Sequence, residues 1–156
     1  MKYLQLLGFC LSLSLVCIKA SAQNSIPLNE PDRNKPKLFS SLPDKIPVTI
    51  ADLQNLLNAE TGKDVSLQLK NSVIPSFNGK CVSAADKYNN TIHSVVIRSS
   101  NFNGATFTLS SSAQPNGTVK FTGRIISLQH GDAYVLQNQD DQYILIKKNF
   151  YDLINE

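Results

Sequence analysis

The sequence predicts a mainly β domain: a small antiparallel barrel or a strongly curved sheet of 6-7 strands, preceded by a short α-helix and followed by a short C-terminal helix. Two observations predict this fold. After Gly62, apolar residues alternate with polar ones in one short stretch after another, which places the apolar side chains on one face of a strand. Segments rich in asparagine, glycine, proline and aspartate separate these stretches and favour the tight turns of antiparallel hairpins.

The first 22 residues have the pattern of a cleaved secretory signal. Lys2 supplies a positive start, an apolar run extends from Leu4 to Ile18, and Ala20-Ser21-Ala22 forms an A-x-A cleavage site. The apolar run is shorter than the roughly 20 residues that a membrane-spanning helix needs. We therefore expect a secreted or periplasmic protein, cleaved near Ala22-Gln23, with no permanent membrane anchor.

Residues 23 to 44 predict a disordered leader or linker. This segment contains four prolines among polar and charged residues and shows no sustained apolar period. The rest of the chain, residues 45 to 156, is long enough to form a core of its own. We expect it to fold as a single β-rich domain.

A short amphipathic helix is predicted to begin after Thr49. The hydroxyl of Thr49 and the acid of Asp52, three residues later, form the pattern of a capping box. Leu53, Leu56 and Leu57 follow at helical spacing and are expected to face the core, and Gly62 is expected to cap the C-terminal end.

The strands are predicted from the alternation that follows this helix. Their apolar positions are Val65, Leu67 and Leu69; Phe77 to Val82; Val95 and Ile97; Phe107 and Leu109; Val119, Phe121 and Ile125; Tyr134 and Leu136; and Tyr143 and Leu145. Near Gly123 the alternation shifts by one residue, which indicates a bulge or a bend. Residues 150 to 154 predict a last turn or two of helix covering an open end or face of the sheet.

Turn signals lie between the predicted strands, as hairpins require. They are Asn78-Gly79, Asn103-Gly104, Pro115-Asn116-Gly117, Gly131-Asp132 and residues 138 to 141. Asparagine and glycine adopt positive φ at low cost, which tight hairpin turns demand. Each signal is therefore interpreted as a connection between antiparallel strands.

The charge of the chain argues against a nucleic-acid partner. The formal net charge is +3, and loss of Lys2 and Lys19 with the signal lowers it by two, to +1. Binding to nucleic acid depends mainly on neutralising phosphates with lysine and arginine. A nearly neutral domain lacks the excess positive charge for that role.

Cys81 is the one cysteine expected in the mature chain, because Cys10 and Cys17 leave with the signal. No internal disulfide is then possible. A thiolate nucleophile would need a histidine base, and His93 and His130 are both available. However, Cys81 lies within a predicted strand, and free cysteine is among the most buried residue types. We therefore interpret Cys81 as a core residue and keep a Cys81-dependent hydrolase or redox protein as an alternative.

The sequence predicts neither a metal site nor a cofactor. His130 and Asp132 are one residue apart, but a catalytic zinc requires three protein ligands, and the spacing of known zinc motifs is absent. His130-Gly131-Asp132 is more simply a hairpin turn. The neighbouring acids Asp140 and Asp141 are interpreted as a solvated hairpin tip.

The stretch from Gly123 through His130-Gly131-Asp132-Ala133-Tyr134 to Tyr143 resembles small exported bacterial β-rich proteins of uncharacterised function. Its main motif is a hairpin, so the resemblance assigns no functional residue. The same region supplies the candidate binding residues, which are His130, Asp132, Tyr134 and Tyr143.

The function predicted from the sequence is that of an exported, non-enzymatic binding or interaction domain of the cell envelope. Its partner would be an unknown protein or a small ligand. Besides the Cys81-dependent enzyme, a structural or self-assembling envelope protein is a further alternative.

Overall fold

The computed structural model describes residues 34–89 and 91–153. Along this part of the chain lie eight β-strands, one α-helix and one 3-10 helix. In chain order they are β1 (Lys45–Val48), α1 (Ile50–Leu57), β2 (Asp64–Gln68), β3 (Ser76–Lys87), β4 (Ile92–Ser99), β5 (Thr106–Ala113), β6 (Val119–Ile126), β7 (Asp132–Gln139), β8 (Gln142–Asn149) and the 3-10 helix Phe150–Leu153. The secretory signal and residues 23 to 33 of the expected leader lie outside the described residues.

The strands form one antiparallel sheet that curls into a half-barrel. From β2 to β8, each strand pairs with the next one along the chain, and β1 pairs with the outer side of β8. The prediction of a mainly β, curved antiparallel fold is therefore confirmed, but the expected number of strands is slightly low. Strand β1 was not predicted because it has only four residues, contains Pro47 and directly follows the proline-bearing segment.

The core lies between the sheet and α1. Leu53 and Leu56 of α1 are buried there, and the helix packs against β2, β4 and β5. The predicted capping box is present, since Thr49 and Asp52 each accept a backbone hydrogen bond from the other residue. The prediction that Gly62 caps the helix is wrong. The helix ends at Leu57, and the N–H of Gly62 instead donates to the carbonyl of Cys81 at 2.7 Å.

Most of the predicted turns join consecutive strands, but Asn78-Gly79 does not. Both residues lie inside β3, which runs without interruption from Ser76 to Lys87. A Cβ atom on Gly79 would lie 2.5 Å from the carbonyl oxygen of Arg98 on β4. Glycine is therefore required here by the close approach of two strands, not by a turn.

The sheet is irregular within β3, and also at Gly123, where the pairing of β6 with β7 ends. The pairing of β5 with β6 keeps a regular register through Gly123, so the predicted bulge is not present in that pairing. The register of β3 with β4 shifts between Cys81 and Ser83 instead. The extra residue there is Val82.

Residues 34 to 44, which were expected to belong to a disordered leader, pack on the domain. Phe39 and Leu42 are buried in the core, and the ring of Phe39 meets the ring of Tyr134 edge-on, with centroids 5.2 Å apart. This part of the chain is thus integral to the β domain. At the other end, Phe150 and Tyr151 of the 3-10 helix pack with Ala133 in a separate small cluster.

Candidate functional site

Asp132, a predicted binding residue, is buried and holds the N-terminal segment. Its Oδ1 accepts the N–H of Leu38 at 2.7 Å, and its Oδ2 accepts the N–H of Phe39 at 2.8 Å. Both carboxylate oxygens thus satisfy backbone groups 93 or more residues away in the chain. These bonds fix the position from which Phe39 enters the core.

Tyr134 holds the same segment further along. Its ring is buried, and its hydroxyl donates to the carbonyl of Pro43 at 2.5 Å. Burial of the phenol raises its pKa well above the usual value, and the carboxylates of Asp44 and Asp132 add to this shift because they disfavour a second negative charge nearby. Tyr134 is therefore a neutral hydrogen-bond donor at physiological pH.

Lys147 and the β6–β7 hairpin complete this arrangement. The Nζ of Lys147 donates to the carbonyl of Leu42 and lies 3.3 Å from the carboxylate of Asp44. On the hairpin, the N–H of Gly131 donates to the carbonyl of Pro36 at 3.0 Å. We call Gly131, Asp132, Tyr134 and Lys147 together the clasp, because each of them bonds to the backbone of residues 36 to 44.

His130 lies beside the clasp but does not bond to the segment. Its Nδ1 is 2.7 Å from the Oγ of Ser127, within the turn that joins β6 to β7. Three predicted binding residues, His130, Asp132 and Tyr134, are thus brought together at one hairpin. Their polar contacts are made inside the domain, which supports a role in folding.

The fourth predicted binding residue, Tyr143, lies near the other end of β8, opposite Asn138 and next to the β7–β8 turn. It is buried edge-on against Phe121, with ring centroids 5.3 Å apart, and its hydroxyl accepts the N–H of Phe121 at 3.1 Å. Unlike the clasp, this aromatic pair lines an open concavity.

That concavity, which we call the mouth cleft, has a volume of about 820 Å³. It lies between the first residue of α1, the β5–β6 turn and the β7–β8 turn, and Phe121 and Tyr143 are part of its lining. A second depression of about 350 Å³, which includes Leu57 and His93 in its lining, shares Val119 and Phe121 with it. The two hollows therefore meet at Val119.

The lining of the mouth cleft combines exposed apolar groups with amides. Ile50 and Val119 are 48% and 49% exposed, which is high for large aliphatic side chains. Three amide residues, Gln114, Gln137 and Asn138, are also part of the lining. The charged residues of the lining are one lysine, Lys120, and one aspartate, Asp141. The cleft thus offers hydrogen bonds and apolar contact with little net charge.

Cys81 has the surroundings of a core residue, as predicted. It is fully buried, and its Sγ lies 3.4 Å from the carbonyl of Ser83 and 3.6 Å from that of Ala59. The histidines have other partners: the Nδ1 of His93 is 2.5 Å from the carboxylate of Asp86, and that of His130 contacts Ser127. The thiol and a histidine base do not come together in this arrangement.

Within residues 34–89 and 91–153, no group of three or more potential metal ligands is found. No helix in this part of the chain is long and apolar enough to cross a membrane.

Sequence reasoning predicted Tyr143 but missed the rest of the mouth cleft. Its residues come from the helix start and from two hairpins that are far apart in the sequence, so no local motif marks it. Ile50 carried a usable signal, because it begins α1 but lies outside the buried leucine stripe. Comparisons with protein-family models, curated proteins and solved structures found no match. The resemblance to small exported bacterial proteins stays a prediction.

Proposed function

We propose that this protein is an exported, non-enzymatic binding module of the cell envelope, and that its mouth cleft holds a short, uncharged peptide segment of a partner protein. The observation that carries this proposal is the pair of exposed aliphatic side chains, Ile50 and Val119, in a cleft whose lining also includes three amide residues. A volume of about 820 Å³ is in the range of natural ligand sites.

The amides favour a peptide as the ligand. Each glutamine or asparagine side chain offers both donors and an acceptor, which is the complement that a peptide group requires. Gln137 and Asn138 are consecutive on β7, so their side chains leave the strand on opposite faces. Gln114, on the β5–β6 connection, already donates from its Nε2 to the Oγ of Ser112 at 2.9 Å, so its carbonyl oxygen is the group it offers to a ligand. Ile50 and Val119 can cover one apolar side chain of the bound segment and remove it from water.

The charges of the cleft favour an uncharged segment. Lys120 and Asp141 carry opposite charges, so their fields largely cancel for a ligand that spans the cleft. A nucleic acid would require a cluster of lysines and arginines, which this lining does not have. The signal pattern of residues 1 to 22 supports a partner in the envelope.

A Cys81-dependent enzyme receives no support from the site. A nucleophilic cysteine must be reached by its substrate, and Cys81 is fully buried. The partners of His93 and His130 are also elsewhere.

The test is selection from a library of uncharged heptapeptides against the immobilised full chain, followed by calorimetric titration of a synthesised selected peptide. Val119→Asp places a charge in the cleft and is expected to weaken binding by about tenfold or more. Val73→Asp is the matched control, because Val73 is 90% exposed and lies outside the cleft lining. Equal binding by both variants, or selection of no peptide by a folded protein, would contradict the proposal.

A further inference from the structure

Strand β3 extends well beyond its neighbour β2. Strand β2 pairs only with Ser76 to Lys80, whereas β4 pairs with β3 as far as Lys87. Residues 83 to 87 therefore have a strand partner on one side, and within the described part of the chain none on the other. All five residues are exposed. We call residues 83 to 87 the free edge.

The backbone of the free edge is oriented for pairing. The N–H of Ser99 donates to the carbonyl of Ala105, which directly precedes β5. The N–H and C=O groups of successive strand residues point to alternate sides, so those of Val96 and Ser94 point toward β3. Their partners on β3, Ala85 and Ser83, therefore direct their own N–H and C=O groups toward β4. Ala84 and Asp86 alternate with these residues, so their N–H and C=O groups point away from β4 and out of the sheet.

The free edge has fewer protective features than the β1 edge of the sheet. Strand β1 has four residues and contains Lys45 and Pro47, and short length, lysine and proline all discourage pairing with another chain. Residues 83 to 87 contain no proline and begin with three small side chains. Their protective features are the charges of Asp86 and Lys87 and the bulge that precedes Ser83. An apolar residue is exposed at each end, Val82 at 38% and Tyr88 at 76%.

We propose that the free edge pairs with the same edge of a second copy of this chain, antiparallel and about a two-fold axis at Ala85. In this register, Ala84 of one copy faces Asp86 of the other, and the same pair forms again across the axis. Each pair brings together two residues whose backbone groups point outward, so each exchanges two hydrogen bonds. The sheets of the two copies then join at their edges.

The side chains also fit this register. Ala85 faces the same residue of the other copy, and Ser83 faces Lys87. Val82 and Tyr88 lie outside this pairing, because Val82 is the bulged residue and Tyr88 follows the strand with a positive φ of 53°. No like charges are directly opposed, which would destabilise a cross-strand pair. The carboxylate of Asp86 is already paired with His93 of its own chain. Edge-to-edge pairing is self-complementary, as a two-fold dimer requires.

The pairing surface is small, so the dimer is expected to be weak and to depend on concentration. Stable interfaces bury on the order of 1,000 Å² or more in total, and five residues of strand edge cover less than that. Sedimentation velocity of the full chain from about 10 µM to about 1 mM at low salt covers the range of such affinities. The fraction of dimer is expected to rise across it.

Charge variants at Ala85 test the register directly. Ala85→Lys and Ala85→Glu each place like charges opposite one another at the two-fold axis, and each is expected to reduce dimerisation by about tenfold. An equimolar mixture of the two is expected to dimerise again, because the charges are then opposite. Ala113→Lys, at an exposed end of β5, is the matched control and is expected to behave as wild type.

Either of two results would overturn the proposal. The first is a monomer across the whole concentration range for the folded wild-type chain. The second is dimerisation of Ala85→Lys at the wild-type level, which would place the contact elsewhere. Dimerisation of the mixed variants would show that both are folded, because each must present an intact edge to pair.

Discussion

Replacing Asp132 by asparagine is expected to release the N-terminal segment from the clasp. The two carboxylate oxygens accept the N–H groups of Leu38 and Phe39, at 2.7 and 2.8 Å. Asparagine keeps one acceptor oxygen and turns an NH₂ group toward the other N–H, so one donor faces a donor. A hydrogen bond to a charged group contributes about 1.5 to 3 kcal/mol, and an unsatisfied buried donor adds to the loss. We expect Asp132→Asn to lower the free energy of unfolding by about 3 kcal/mol.

The assay is urea unfolding followed by circular dichroism, together with amide hydrogen exchange at Leu38 and Phe39. If the segment opens locally, a loss of about 3 kcal/mol accelerates exchange of these two amides by about a hundredfold. Asp64→Asn is the matched control, because Asp64 is exposed on β2, and it is expected to change little. A loss below about 0.5 kcal/mol with unchanged exchange would refute the reasoning. Asp132 would then not be what holds the segment.

Three further predictions follow from buried groups. Gly79→Ala would place a Cβ 2.5 Å from the Arg98 carbonyl oxygen and is expected to destabilise the fold by about 3 kcal/mol in urea unfolding. Gly117→Ala meets no atom within 4 Å and is expected to lose only about 1 kcal/mol, from its positive φ of 81°, so equal losses would rule out the clash. Cys81 is expected to react with a thiol reagent only at the rate of unfolding, and fast labelling of the native protein would contradict its burial. Because the pKa of Tyr134 is raised in the folded state, its contribution to stability is complete below the usual phenol pKa of about 10 and is lost as pH rises above that value. Unfolding measured from pH 9 upward should show a steeper decline for wild type than for Tyr134→Phe, and parallel profiles would exclude this cause.

Much of the fold was predictable because its elements are marked by local patterns. The alternation along the strands, the Thr49 and Asp52 capping box and the hairpin turn at Asn116-Gly117 all act within a few residues of chain. The same locality explains the error at Asn78-Gly79. That dipeptide is typical of hairpin turns, but here Gly79 serves the close approach of Arg98, which lies on another strand.

The candidate site was less predictable, because its residues are related only through the fold. His130, Asp132 and Tyr134 lie around one hairpin because they are close in the sequence, but the partners of Asp132 and Tyr134 are backbone atoms 91 to 94 residues away. No local sequence pattern predicts such a distant partner. For the same reason, the leader was expected to end at residue 44, whereas Phe39 and Leu42 are part of the core.

The sequence by itself determined the β class of this protein, the position of α1 and the burial of Cys81, because apolar periodicity and capping depend on near neighbours. Tertiary structure alone decided three other features: which residues the clasp holds, how separate hairpins and the helix start form the mouth cleft, and how far β3 extends beyond β2. Each depends on contacts between distant segments, whose register is set when the whole sheet curls around its core.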